Sequence, residues 1–211
     1  MKLTKYGHAC VLLEKDGRSL VIDPGVFSDA PLLDEVAAVL ITHGHADHLD
    51  IERLAASGPL EVWTCAAVAE ALAETPASVH VVADGDRFEA AGFAVQVFGE
   101  RHAQGHPDVS IASNVGFLID EEVFYPGDAL TVPEVPVPTL LLPTHAPWMR
   151  GREMIDYLRT VRPVRAYSTH DGMLNEHGLA SVDAWLGLEA QRAGDGADIR
   201  RLAMGESITL G

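Results

Sequence analysis

The sequence predicts an α/β (α+β) fold in which two β-sheets pack face to face with helices outside. Three observations carry that expectation. Short strand-like runs fall into two groups, and each group is followed by helical segments. Several runs are continuously apolar, as in strands buried on both faces. Three of them end in Thr-His (His43, His145, His170), and a fourth leads to Gly127-Asp128. Ligand-type residues gathered at one sheet edge are how α/β enzymes build a site.

In order along the chain, HACVLLEKDGRSLVIDPG holds two apolar runs around Lys15-Asp16-Gly17, a hairpin signal. VAAVLITH is a buried strand ending in His43. DIERLAASG carries helical spacing and stops at Gly58, LEVWTC is a strand, and AAVAEALAET is a helix closed by Pro76. Strand-like runs return from Val79 to Val97. NVGFLIDEEVFYPGDAL repeats the hairpin pattern, and PTLLLPTHAP is a buried strand. GREMIDYLRTVRP places Met154, Ile155, Leu158 and Val161 on one helical stripe. VRAYSTHDG is a third strand ending in histidine. LASVDAWLGLEAQRAG is a helix stopping at Gly194, and DIRRLAMGESITLG supplies a last strand or two.

The 211 residues, 47% apolar, can bury one core, so a single domain over 1–211 is expected. Against 31 acidic residues stand 15 basic ones, giving −16. Such a surface repels phosphate backbones and anionic lipid, so neither nucleic acid nor membrane is expected as a partner. A small-molecule substrate is, and a homo-oligomer is a base-rate expectation only. Cys10 and Cys65 form no C-x-x-C pair, and buried free thiols in a reducing compartment fit them. MKLTKYGHACVLLE lacks the apolar core of a signal peptide, so a cytoplasmic location is expected. Few lysines among many Arg, Ala and Gly residues fit a GC-rich bacterial coding bias.

The strongest chemical signal is Thr42-His43-Gly44-His45-Ala46-Asp47-His48-Leu49-Asp50. His43, His45 and Asp47 alternate, so in extended chain they project to one side. Gly44 and Ala46 are small spacers that let backbone curl around an ion, and the turn into the following helix brings His48 to the same cavity. Imidazole and carboxylate suit zinc and similar borderline metals. The bland alternative is a solvated histidine-rich loop.

THGHADHLD resembles the H-x-H-x-D-H signature of the metallo-β-lactamase superfamily, and the order of segments is similar to that family's four-layer αββα sandwich of two mixed sheets. VIDPG resembles its early Asp-containing turn. Tyr6-Gly7-His8-Ala9 is similar to the opening of small bacterial hydrolases related to the ascorbate-6-phosphate lactonase group. The resemblance implies two divalent cations, usually Zn2+, with Mn2+ or Fe2+ as alternatives. One would take His43, His45 and His102, the other Asp47, His48 and His170, with Asp128 bridging both. His106 competes with His102, His145 competes with His170, and Asp128 has a plain turn role as its alternative. His8 and Asp23 would support ligands from the outer shell, with a structural turn role as the alternative for Asp23.

The chemistry implied is hydrolysis by a hydroxide shared between the metals. Asp47 would also hold the nucleophile or accept a proton. His145 is the candidate to protonate the leaving group, against a role in capping its strand. A carboxylate at Asp128, where secreted β-lactamases of the superfamily carry Cys or His, argues against antibiotic hydrolysis. His45 argues against the oxygen-reducing diiron relatives. A small ester, lactone or phosphodiester is left as substrate, and phosphodiesterase or nuclease activity or a non-catalytic metal-binding protein are the alternatives. Arg101, Arg150 and Arg152 are candidates to hold a phosphate or carboxylate.

Overall fold

The computed structural model describes residues 1–29 and 33–211. Its first sheet is built from β1 (Lys2–Lys5), β2 (Val11–Lys15), β3 (Arg18–Ile22), β4 (Ala38–Ile41), β5 (Glu61–Thr64) and β6 (Ser78–Val81) in sequence order. The second runs backwards, from β13 (Asp198–Arg200) through β12 (Arg165–Thr169), β11 (Thr139–Pro143), β10 (Val123–Tyr125), β9 (Gly116–Ile119) and β8 (Phe93–Phe98) to β7 (Arg87–Ala90). β14 (Ser207–Thr209) returns to pair with β1 in the first sheet. Both sheets are mixed. Neighbours from β14 to β3 are antiparallel and those from β3 to β6 parallel. β10 to β13 are parallel and β7 to β10 antiparallel.

The continuous apolar runs are explained by two cores on opposite faces of one strand. On β11, Leu141 belongs to the core between the sheets, while Leu140 and Leu142 pack with helix residues. β12 divides the same way, with Tyr167 inward and Ala166 toward the helices. Alternate side chains of a strand point to opposite faces, so a strand covered on both sides has no polar face to display. The helical cover on this sheet is α3 (Gly151–Val161) and α4 (Glu176–Ala193), through Met154, Tyr157, Leu158, Val182 and Leu186. α1 (Ile51–Ala56) and α2 (Ala66–Ala71) add Leu54 and Val68 to the core of the first sheet.

The Asp16-Gly17 turn has both residues at positive φ, as a two-residue hairpin requires. The helix expected through Thr75 is shorter than its pattern: α2 ends at Ala71 and the chain continues in turns to Pro76. The last helix begins earlier than expected, because Asn175 caps it by accepting a hydrogen bond from Gly178 N–H at 3.0 Å. The two cysteines are free and buried. No helix among the described residues is long and apolar enough to cross a membrane.

Candidate metal centre

β1, β3, β4, β10 and β12 deliver their following residues to one edge of the sandwich, and β8 leads into the loop that carries His102. Two groups of side chains meet there. His43, His45, His102 and Asp128 form one, and His8, Asp47, His48 and His170 the other; within each, the ligand-type atoms lie within 4.8 Å of one another. Asp128 joins them, its Oδ1 lying 3.2 Å from His48 Nε2 and its Oδ2 3.3 Å from His102 Nε2 and 3.0 Å from His170 Nε2.

The rings of His43, His48, His102 and His170 are oriented from behind. Asp23 Oδ2 lies 2.7 Å from His48 Nδ1, which turns Nε2 toward the centre. Thr42 donates through N–H to Asp23 Oδ1 (2.7 Å) and through Oγ1–H to Oδ2 (2.6 Å). Its hydroxyl proton being used, Thr42 Oγ1 accepts from His43 Nδ1 at 3.0 Å, leaving His43 Nε2 facing inward. His102 Nδ1 donates to Ala103 O and His170 Nδ1 to His145 O.

His8 falls with the second group, yet its hydrogen bonds set it behind the ligand atoms. Gly172 N–H donates to His8 Nδ1 at 2.9 Å, so the proton sits on Nε2, which donates to Asp47 Oδ2 at 3.1 Å. A ring with both nitrogens engaged supports Asp47 rather than offering a free lone pair. Asp23 likewise touches only partners and backbone, and it combines the turn role and the orienting role that the sequence left as alternatives.

Asp23 and His170 adopt left-handed backbone, with φ of 48° and 59°. Such conformations concentrate where surrounding structure holds a side chain in a required direction. Space is tightest at Gly25, where a Cβ would stand 2.0 Å from Asp47 O and 2.4 Å from His48 N. Gly44 has room for a Cβ, its nearest neighbour being Val68 at 3.6 Å. The close backbone approach expected of Gly44 is therefore supplied by Gly25 in VIDPG.

These residues fit a pair of cations on observations internal to the structure. His48 Nε2, His102 Nε2, His170 Nε2 and Asp128 Oδ1 are buried without a hydrogen-bond partner, and each of the three nitrogens lies within 3.3 Å of an Asp128 carboxylate oxygen. Buried polar atoms are ordinarily satisfied, and four orphans aimed together define a place for positive charge. Burial would depress the His48 pKa, but the coulombic pull of Asp23 with Asp128 overrides it and raises it to about 10. His170 behaves alike: burial lowers it, and the carboxylates of Asp128 and Asp47 beside its Nε2 lift it to about 9. The carboxylates draw cations to themselves, and metal binding releases those protons.

Several sequence candidates lie elsewhere. His106 is exposed on the rim of a neighbouring cleft, its Nδ1 accepting from Asp108 N–H, and it stands outside both groups. The half-buried His145 meets the centre through its carbonyl, and its ring is in neither group. Of the three arginines, Arg152 is exposed and paired with Asp156, and Arg101 and Arg150 are exposed; none lines the cleft beside the centre. Trp148 was missed. Its Nε1–H donates to Asp128 Oδ2 at 3.0 Å, and its ring meets His102 edge to face. Only its place four residues after Thr144, beyond a strand ending at the site, could have drawn attention to it.

Comparison with known proteins identifies the family and the fold. The family model for the β-lactamase superfamily domain matches residues 2–170. Protein Rv0786c of Mycobacterium tuberculosis is 36% identical over 184 residues, covering 82% of this chain and 85% of that protein. The UPF0173 metal-dependent hydrolase MJ1163 of Methanocaldococcus jannaschii is 30% identical over 60% of each chain. The metallo-β-lactamase fold protein YhfI of Bacillus subtilis superposes with a TM-score of 0.72 over 98% of both chains at 16% identity, a likeness of fold alone. With the signature, the paired sheets and a match over residues 2–170, this chain belongs to the β-lactamase superfamily domain family.

Proposed function

We propose that the chain is a metal-dependent hydrolase acting as one unit over 1–211, with two divalent cations, Zn2+ in preference to Mn2+ or Fe2+, held at the strand edge. His43, His45 and His102 would hold one, Asp47, His48 and His170 the other, with Asp128 shared between them. The carrying observation is the convergence of the orphaned atoms of His48, His102, His170 and Asp128. The name of the Methanocaldococcus relative and the donor chemistry both support the reading. When bound, two such cations would lower the pKa of the attacking water and polarise the oxygen under attack.

The chain's own groups then have definite tasks. Asp47 Oδ2 is held by His8, leaving Oδ1 to accept a hydrogen bond from the attacking water and fix its lone pair. Asp23 and Thr42 keep His48 and His43 in the tautomers that present Nε2. The imidazole of His145 has no hydrogen-bond partner among the described residues, and it is the side chain assigned to protonate a poor leaving group. The substrate is a small molecule, in keeping with a net charge of −16 that repels nucleic acid. An ester, a lactone or a small phosphodiester fits, the lactone being what the likeness to the ascorbate-6-phosphate lactonase group favours.

The test is turnover by protein loaded with Zn2+ or Mn2+, on p-nitrophenyl esters, a γ-lactone and bis-p-nitrophenyl phosphate. Hydrolysis of at least one substrate, lost in Asp128→Ala, is expected. Full loading without turnover of any would replace the enzyme with a non-catalytic metal-binding protein. His145→Ala should slow alkyl esters far more than p-nitrophenyl esters, whose leaving group needs no proton.

A further inference from the structure

A cleft of about 370 Å³ opens directly from the His43 side of the centre. Its inner edge is His45 and His102, its apolar walls are Val109, Ile111, Pro147 and Trp148, and Gln104, His106 and Ser110 line its remaining side. The volume lies at the small end of the range for small-molecule sites, roughly 300–1,000 Å³. Among the described residues no Lys, Arg, Asp or Glu lines it, although the chain as a whole carries 31 acids and 15 bases. Sites that bind phosphoryl groups ordinarily place Arg or Lys around the oxygens the metals do not reach. Here the nearest candidates point to other work or to solvent, as Arg152 does with Asp156 at 3.0 Å.

We infer, resting on the hydrolase reading above, that the substrate is an uncharged carboxylic ester or lactone with an apolar group, which lies along Trp148, Pro147 and Ile111. A charged group in that cleft would meet no Lys or Arg to pair with, only the neutral polar groups of Gln104 and Ser110 and the exposed His106, whereas an apolar one releases water from the half-buried Ile111 and Trp148. Trp148 serves twice: its indole N–H holds Asp128 Oδ2, so the ring is fixed in place before substrate arrives. In the reaction the oxygen of water bonds to the carbonyl carbon. The acyl C–O bond breaks with its electron pair on the departing oxygen, and that oxygen takes one proton. Acid and alcohol result, and nothing is oxidised or reduced. The small phosphodiester is the excluded member of the broader set.

A matched pair tests this: p-nitrophenyl butyrate and p-nitrophenyl hemisuccinate share a leaving group and differ by a terminal carboxylate. Zinc-loaded protein should favour the butyrate by roughly ten-fold or more in kcat/KM, and Ile111→Arg should shift the preference toward the hemisuccinate. Equal or better use of the hemisuccinate, or faster hydrolysis of bis-p-nitrophenyl phosphate, would overturn the inference while leaving the hydrolase reading intact. Binding supplies a readout independent of turnover. With Trp63 and Trp185 changed to Phe, only Trp148 emits, and butyramide should alter its emission saturably where succinamate does not. Should no ester, γ-lactone or phosphodiester be hydrolysed, the hydrolase reading fails, and the emission titration still decides what the cleft accepts. No saturable change with butyramide would refute the apolar site.

Discussion

The two halves of the metal centre are built to different standards of enclosure. On the His48 side the ring is buried between Asp23 and Asp128, Asp47 is gripped by His8, and His170 is held by both its main chain and the His145 carbonyl. On the His43 side, His45 is exposed, His102 is fixed through its neighbour's carbonyl, and the apolar cleft begins there. A fully backed ligand set holds its ion rigidly, and a half-open one leaves room for exchange and for substrate. The difference teaches that two ligand sets of like chemistry differ in how far the fold closes behind them.

Asp128 is the residue that should erase the contrast. Asp128→Ala removes the shared carboxylate, and metal analysis should show both ions weakened and activity below detection, with circular dichroism unchanged. Retention of two ions with full turnover would remove Asp128 from the bridge. Asp23 comes next, because it reaches both halves: His48 directly and His43 through Thr42. Asp23→Ala should lower metal affinity on both sides by roughly 10–100-fold, read by competition with a chelating dye.

Single-sided changes sharpen the comparison. Thr42→Val should weaken only the His43 side and His8→Gln only the Asp47 side, each by about ten-fold. Identical losses in both variants would mean that the halves do not act separately. Trp148→Phe should have the smallest effect on metal content, since Asp128 keeps its other neighbours. It should instead raise KM for butyrate esters a few-fold. As a control far from the distinction, Asp50→Ala removes the α1 cap on Arg53 N–H and should cost about 1 kcal/mol of stability with metal content unchanged.

The contrast also shows which parts of the site could be read from the chain. His43, His45, Asp47 and His48 lie within six positions, so the pattern was visible without knowing the fold. Asp128, His102 and His170 sit far apart and were placed by resemblance; a strand ending in histidine alone would have offered His145 equally. What separates those two is a backbone choice: His170 takes φ of 59° and turns its ring inward, while His145 offers its carbonyl. Trp148 and Gly25 were invisible for a related reason. Their importance lies in a hydrogen bond across 20 positions and in a backbone approach across 22, and neither distance leaves a local pattern. The sandwich itself was legible because its doubly covered strands carry apolar residues on both faces. The shortening of α2 was not, because Ala and Glu favour helix whether or not packing completes it.

The most direct test of two distinct cations sharing one carboxylate is elemental analysis of metal-saturated protein beside His43→Ala and His170→Ala. Two ions per chain in the parent and close to one in each variant is the predicted result. A single ion in the parent, or the loss of both ions from each variant, would contradict two separable sites.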